Sequence, residues 1–297
     1  MKTYLDCIPC FYRQVLEAGR SSGLDDAAIK KIIDKTGKII SRKSLSYTPP
    51  EMAGKIHKMV RKESGADDCY REIKNKSNTL ALGVYDNCKQ KVKKAKDPLL
   101  TAVELAIAGN IIDFGVKSNL NVEHEVENIL REEKKLVKNG GASFFAYDCF
   151  KEMVGKSGTI MVLADNAGET VFDRILIEEI LKRHPEIIIY YAVKKGPIIN
   201  DALVSDATEC GIDKIAEIIT TGLMIPGTVL KKCSREFLTL YRKADMIISK
   251  GQGNFESFED PGKAVFYLFM AKCPVVAREV GCEMYSINLH YNSFKKG

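Results

Sequence analysis

The stretch TIMVLADNAGETVFDRILIEEILKRHPEIIIYYAVKKGPIIND, residues 159–201, decides the fold. Two short apolar runs, TIMVLA (159–164) and EIIIYYAV (186–193), flank an amphipathic segment from Phe172 to Arg183. Short apolar runs bounded by polar turns read as strands buried on both faces, and a helix between them makes the pair parallel. The pattern continues downstream. AEIITT (216–221) and DMIISK (245–250) are further strands, and AVFYLFMAKC and EMYSINL are two more. Asn200 to Glu209 and Val229 to Lys243 supply helices. The fold class is α/β, a three-layer α/β/α architecture with a doubly wound, mostly parallel sheet over residues 156–297.

Residues 1–155 read as an N-terminal helical domain. Asp25-Asp26 starts one helix with Ile29, Ile32 and Ile33 as its stripe, and Pro49-Pro50 opens another with Met52, Ile56 and Val60 on one face. Asp97-Pro98 is a cap followed by a first-turn proline, and it launches LLTAVELAIAGNIIDFGV, apolar enough to be largely buried. Asn110 and Asp113 are polar groups inside that apolar run. Gly140-Gly141 marks a break before the next helix.

The 297 residues are 45% hydrophobic and 28% charged, which excludes a mainly disordered chain. The apolar runs are far too short to span a membrane, and the opening MKTYLDCIPC lacks the apolar core of a signal peptide, so no membrane partner is expected and the location reads as cytoplasmic. The whole net charge of +6 falls in residues 1–150, densest at Lys89, Lys91, Lys93, Lys94 and Lys96. No aromatic residues interleave with these lysines, so they read as a solvated helix face and no nucleic acid is expected. Nine scattered cysteines indicate reduced thiols. Cys7 and Cys10 alone are close, a CxxC that is either a second metal or redox pair or two buried thiols at a helix start.

Ligands of a doubly wound sheet bind beyond the carboxyl ends of its strands. Asp165-Asn166-Ala167-Gly168-Glu169 follows the first strand, Lys194-Lys195-Gly196-Pro197 to Asn200-Asp201 the second, and Lys250-Gly251-Gln252-Gly253-Asn254-Phe255-Glu256 the fourth. Asp165, Asn166 and Asp201 offer the oxygen donors that suit a divalent ion. Lys250 with Gly251 and Gly253 offers an ammonium and close backbone approach to a phosphate. Each has a plainer reading: Asp165-Asn166 as a helix cap, Asn200-Asp201 as a helix start, and Lys250 as a solvated strand end. GQGNFE is not a dinucleotide fingerprint, since Glu256 stands where the third glycine belongs, and GxSxG is absent.

AGNIIDFGV (108–116), ADNAGE (164–169), KKGPIIND (194–201) and SKGQGNFE (249–256), with CIPCFYRQ, SNTLAL and DPLLTAVELAIAGN, resemble the damage-control phosphatase family, formerly domain of unknown function eighty-nine. The CxxC looks like that of its compact archaeal and bacterial subfamily. Asp68-Cys69-Tyr70 departs from the family pattern, which has a proline in the middle. The resemblance implies a helical domain packed on an α/β/α sandwich and metal-dependent hydrolysis of phosphate monoesters of small metabolites. Asp165, Asn166 and Asp201 would hold the metal, a Mn, Ni, Co or Mg ion. Lys250 and Asn254 would line the phosphate site, with Asn110 and Asp113 reaching in from the helical domain and Glu169 and Glu256 as weaker candidates. Asp113 or Asp201 would orient or deprotonate the attacking water, and Asp165 is the alternative as a covalent nucleophile. The alternatives from other classes are a carboxyl methyltransferase, which lacks here its glycine-rich cofactor loop, and a CxxC metal or redox module without hydrolase activity.

Overall fold

The structure is a computed structural model and describes residues 1–109, 145–258 and 261–292. Three helices open it: α1 Cys7–Ser21, α2 Asp26–Lys43 and α3 Pro49–Ser64. They share a core of Phe11, Val15, Ile29, Ile32, Met52, Ile56 and Val60, which contains the stripes expected for the second and third helices. Thr48 starts α3 through a capping box with Glu51, and Pro50 follows in its first turn.

The next helices, α4 Arg71–Lys94, α5 Pro98–Ala108 and α6 Tyr147–Lys156, pack elsewhere. Their Ala81, Leu99, Val103 and Phe150 lie in one core with Ile160 and Val162 of the sheet. The first three helices thus have a core of their own, and the next three share one with the sheet. Asp97 caps α5 by accepting the Leu100 N–H at 3.3 Å, and Leu99, Ala102, Val103 and Leu105 through Ala108 are buried almost all round.

Six strands form one sheet: β1 Thr159–Leu163, β2 Ile188–Val193, β3 Glu217–Thr220, β4 Met246–Lys250, β5 Val265–Met270 and β6 Ile287–Asn292. Their order is β3-β2-β1-β4-β5-β6. All neighbours are parallel except β5 and β6, which pair antiparallel. Alternation along β1 sends Ile160 and Val162 to one face and Met161 and Leu163 to the other. Helix α7 Glu169–Arg183 covers the first face together with α4 and α5. Helices α9 Arg235–Lys243 and α11 Pro274–Val280 cover the second, completing the three layers.

Two expected helices are shorter than their sequence signals. The one expected from Asn200 begins at Val204 (α8 Val204–Glu209), because the backbone of residues 200–202 pairs with the loop after β1. The one expected from Val229 breaks after a single 3-10 turn, and Ser234 then caps α9 by accepting the Phe237 N–H at 3.1 Å. Helix α10 Gln252–Ser257 follows β4 directly. Among the described residues, no helix is long and apolar enough to cross a membrane.

Candidate metal and phosphate site

The strand order reverses between β1 and β4, so the loops after these strands diverge and leave a crevice at their carboxyl ends. The loop after β1 is zipped to the loop after β2. Ala202 N–H donates to Asp165 O at 2.8 Å and Ala167 N–H to Asn200 O at 2.9 Å, which sets Asn166 opposite Asp201 in an antiparallel bridge. Two backbone bonds thus bring together Asp165, Asn166 and Asp201. The Asn166 amide nitrogen donates to Asp165 Oδ2 at 3.1 Å and to Glu169 Oε1 at 2.9 Å. Both donated bonds leave from Nδ2, so the acceptor end of the amide turns away from these carboxylates.

Gly251 completes the cradle. It follows β4 with φ 79° and ψ 156°, a conformation essentially confined to glycine, and a Cβ there would overlap the Asp165 carboxylate. Gly251→Ala is expected to lower stability by about 1–3 kcal/mol and to displace Asp165. A denaturant titration checks it, and wild-type stability would contradict the cradle.

Lys250 ends β4, as the sequence reading has it, with its side chain turned into the protein. Its side chain is fully buried, with Nζ 2.5 Å from Asp173 Oδ1 and 3.6 Å from Glu169 Oε2. Burial pulls its pKa down, but the charges of Asp173, Glu169 and Asp165 outweigh that, and the net shift is upward. Tyr191 donates to the other Asp173 oxygen at 2.7 Å. The ammonium is committed to carboxylates beneath the crevice, so it acts on the site from below instead of lining it.

Asn254 is likewise turned into the protein. Also fully buried, it donates to Ala164 O at 3.1 Å and Lys250 O at 2.7 Å and accepts from Thr228 Oγ1 at 2.8 Å. Those bonds tie the ends of β1 and β4 together. Asn110 and Asp113 lie outside the described residues.

Lys194 is placed closer to the site than its sequence suggests. Buried on the strand end, its Nζ lies 2.7 Å from Gly227 O and 3.5 Å from Asp201 Oδ2. Asp173 was missed altogether. An acid four residues after Glu169, inside the apolar pattern of α7, is the signal that marks it as buried opposite a cation.

Glu256 accepts from Gln252 Nε2 at 2.7 Å. Burial pushes its carboxyl up from 4.5 to about 7, with Asp165 adding to the rise and Gln252 and the N-terminal ammonium opposing it. A raised folded-state pKa means that the folded chain holds this proton more tightly than the unfolded one. The carboxyl therefore costs nothing below about pH 4.5, lowers stability as pH rises from there, and exerts its full penalty above about 7. Glu256→Gln is expected to raise the melting temperature at pH 8 and leave it unchanged at pH 4.5. Equal gains at both would contradict a buried neutral acid.

Cys7 and Cys10 open α1 and line a cavity of about 220 Å3 with Cys273, Gln252 and Glu256. All nine cysteines are free thiols, and burial pushes Cys7 and Cys10 upward in pKa. Among the described residues, no three His, Cys, Asp or Glu side chains converge to hold an ion. The donor set at the strand tips is therefore two carboxylates and an amide. Asp165, Asn166 and Asp201 fit a hard divalent ion: they are oxygen donors, held by a bridge and a glycine cradle.

The family model described as the damage-control phosphatase ARMT1-like domain matches residues 3–287. The chain belongs to the damage-control phosphatase family. A damage-control phosphatase from Pyrococcus horikoshii is 37% identical over 298 residues, covering 99% of this chain and 100% of that protein. One from Archaeoglobus fulgidus is 33% identical over 280 residues, covering 93% of this chain and 94% of that protein. The crystal structure of a DUF89 family protein from Pyrococcus horikoshii matches with a TM-score of 0.85 at 33% identity, covering 99% of this chain and 100% of that one. The damage-control phosphatase resemblance read from the motifs is thus borne out across the chain, as is the mostly parallel α/β sheet.

Proposed function

We propose that the protein is a divalent-metal-dependent phosphatase that hydrolyses a small phosphorylated metabolite by in-line attack of water. The observation that carries the reading is the Asn166–Asp201 bridge, which gathers two carboxylates and an amide at the sheet's topological switch point. Charge supports it. Asp165, Glu169, Asp173 and Asp201 face Lys194 and Lys250, a formal excess of two negative charges among the described groups. A dication balances that excess, and the oxygen donors favour Mg2+ or Mn2+, with Co2+ and Ni2+ as alternatives.

When bound, the ion supplies Lewis-acid polarisation of a phosphoryl oxygen. Asp165, Asn166 and Asp201 would hold it. Glu169 fixes the Asn166 amide, and Lys250 fixes Glu169. Asp201, 3.5 Å from the Lys194 ammonium, would orient the attacking water and take its proton. Asp113 is the other candidate base. The ester P–O bond then breaks as the water oxygen bonds to phosphorus, and the proton taken from the water passes to the leaving oxygen, releasing the alcohol and inorganic phosphate.

The test is phosphate release from a panel of phosphate monoesters by metal-stripped protein, with Mg2+, Mn2+, Co2+ and Ni2+ restored one at a time. Activity should return with at least one ion and be absent with chelator. Hydrolysis with none of them would overturn the reading.

A further inference from the structure

Helix α4 buries three polar side chains, Lys74, Ser77 and Asn78, and the site as described uses none of them. Lys74 is 3% exposed and Asn78 is 0% exposed, on a helix whose neighbouring residues are largely solvated. Buried polar groups persist where their hydrogen bonds are met, and the Asn78 bonds run to the loop after β1 and to helix α8, which follows the loop after β2. Its Oδ1 accepts the Gly168 N–H at 2.8 Å. Its Nδ2 donates to Asp206 Oδ1 at 3.1 Å and to Glu209 Oε2 at 2.8 Å. Asp206 Oδ2 in turn accepts the Leu203 N–H at 2.8 Å. Behind them, Lys74 Nζ lies 2.6 Å from Asp68 Oδ2 and 3.9 Å from Asp206 Oδ2.

The placement along the chain gives these bonds their meaning. Gly168 lies two residues after Asn166, and Leu203 two residues after Asp201. The bridge ties the two loops where the ligand residues sit, and Asn78 links the end of the first loop to the second through Asp206 of helix α8. Gly168 is also the residue before α7, where a helix leaves N–H groups without internal partners, and it has φ 81° and no side chain with which to cap. The amide that serves it comes from another element, 90 residues away in sequence.

We propose that Asn78, backed by Lys74, is a positioning residue that holds the loops after β1 and β2 in the register that aims Asp165, Asn166 and Asp201 at one point. Helix α4 thereby sets the geometry of the ion site without touching the ion. The proposal rests on the divalent-ion reading above. It also gives Asp68 a role: the acid next to the one departure from the family pattern anchors Lys74.

The test uses full-length Asn78→Ala, with Asn78→Ser as the milder change should alanine not fold. Three measurements are made on folded protein: Mn2+ titration by calorimetry, the visible spectrum of the Co2+-loaded protein, and amide hydrogen exchange without metal. Removing a group that orients metal ligands costs about tenfold or more in metal affinity. The expected result is a Mn2+ dissociation constant raised about tenfold, a changed Co2+ spectrum, and faster exchange confined to residues 165–169 and 201–206. A variant that melts earlier but keeps wild-type Mn2+ affinity, Co2+ spectrum and loop exchange would make Asn78 purely structural and overturn the proposal. Failure of the unaltered protein to bind Mn2+ or Co2+ would overturn the ion reading, and this proposal with it.

Discussion

Lys250→Met is expected to cost about 3–5 kcal/mol of stability, the range for breaking a buried ion pair from one side, and to cut turnover about 100-fold through the loss of an orienting contact. The ammonium lies among side chains that are at most 3% exposed, with Asp173 at 2.5 Å and Glu169 at 3.6 Å. Methionine fills the volume and leaves two carboxylates buried without their cation. A charge buried without its partner is the penalty that this substitution introduces. Turnover falls because Glu169, no longer anchored, holds the Asn166 amide less firmly. Lys250→Arg should restore little, because a planar fork does not fit a pocket built around a compact ammonium. Adding Asp173→Asn to Lys250→Met should recover part of the stability and none of the turnover. Thermal melts decide it, and wild-type stability of Lys250→Met would contradict the buried pair.

Asp201→Asn is expected to weaken Mn2+ binding on the order of 100-fold, since affinity for a hard cation follows the charge of its ligands, while the fold stays intact. The choice of asparagine follows from the structure. A solvated strand-tip carboxylate would tolerate alanine, but Asp201 is 3% exposed and lies 3.5 Å from the buried Lys194 ammonium. Alanine would leave that buried ammonium its bond to Gly227 O but no facing carboxylate. Asparagine keeps an acceptor of the same shape and removes only the charge. Calorimetric titration with Mn2+, paired with a melt of the metal-free protein, separates the two effects. Unchanged affinity in the folded variant would remove Asp201 from the ligand set.

The sheet was legible because its strands are buried on both faces, so TIMVLA, EIIIYYAV and DMIISK stand out as apolar runs with polar residues beyond their ends. The residues gathered at the crevice were legible for the same reason: Asp165, Asn166 and Asp201 follow strand ends. The antiparallel direction of β6 was not, since a helix-sized connection such as the one holding α11 usually signals a parallel crossover. The direction of the Lys250 side chain was available but unread. Period-two alternation places Lys250 with Met246 and Ile248, on the face that α7 covers, and Glu169 and Asp173 sit on the first turns of that helix. Asn78 and Asp206 were beyond reach, because their pairing spans 128 residues and leaves no periodic trace.

The most direct measurement is anomalous diffraction from a crystal of the protein soaked with Mn2+. The expected result is one anomalous peak bonded to carboxylate oxygens of Asp165 and Asp201 and to the Asn166 amide oxygen, lost in Asp201→Asn. A soaked crystal with no peak there, or with its ion at Cys7 and Cys10 instead, would contradict a phosphatase site built on these three residues.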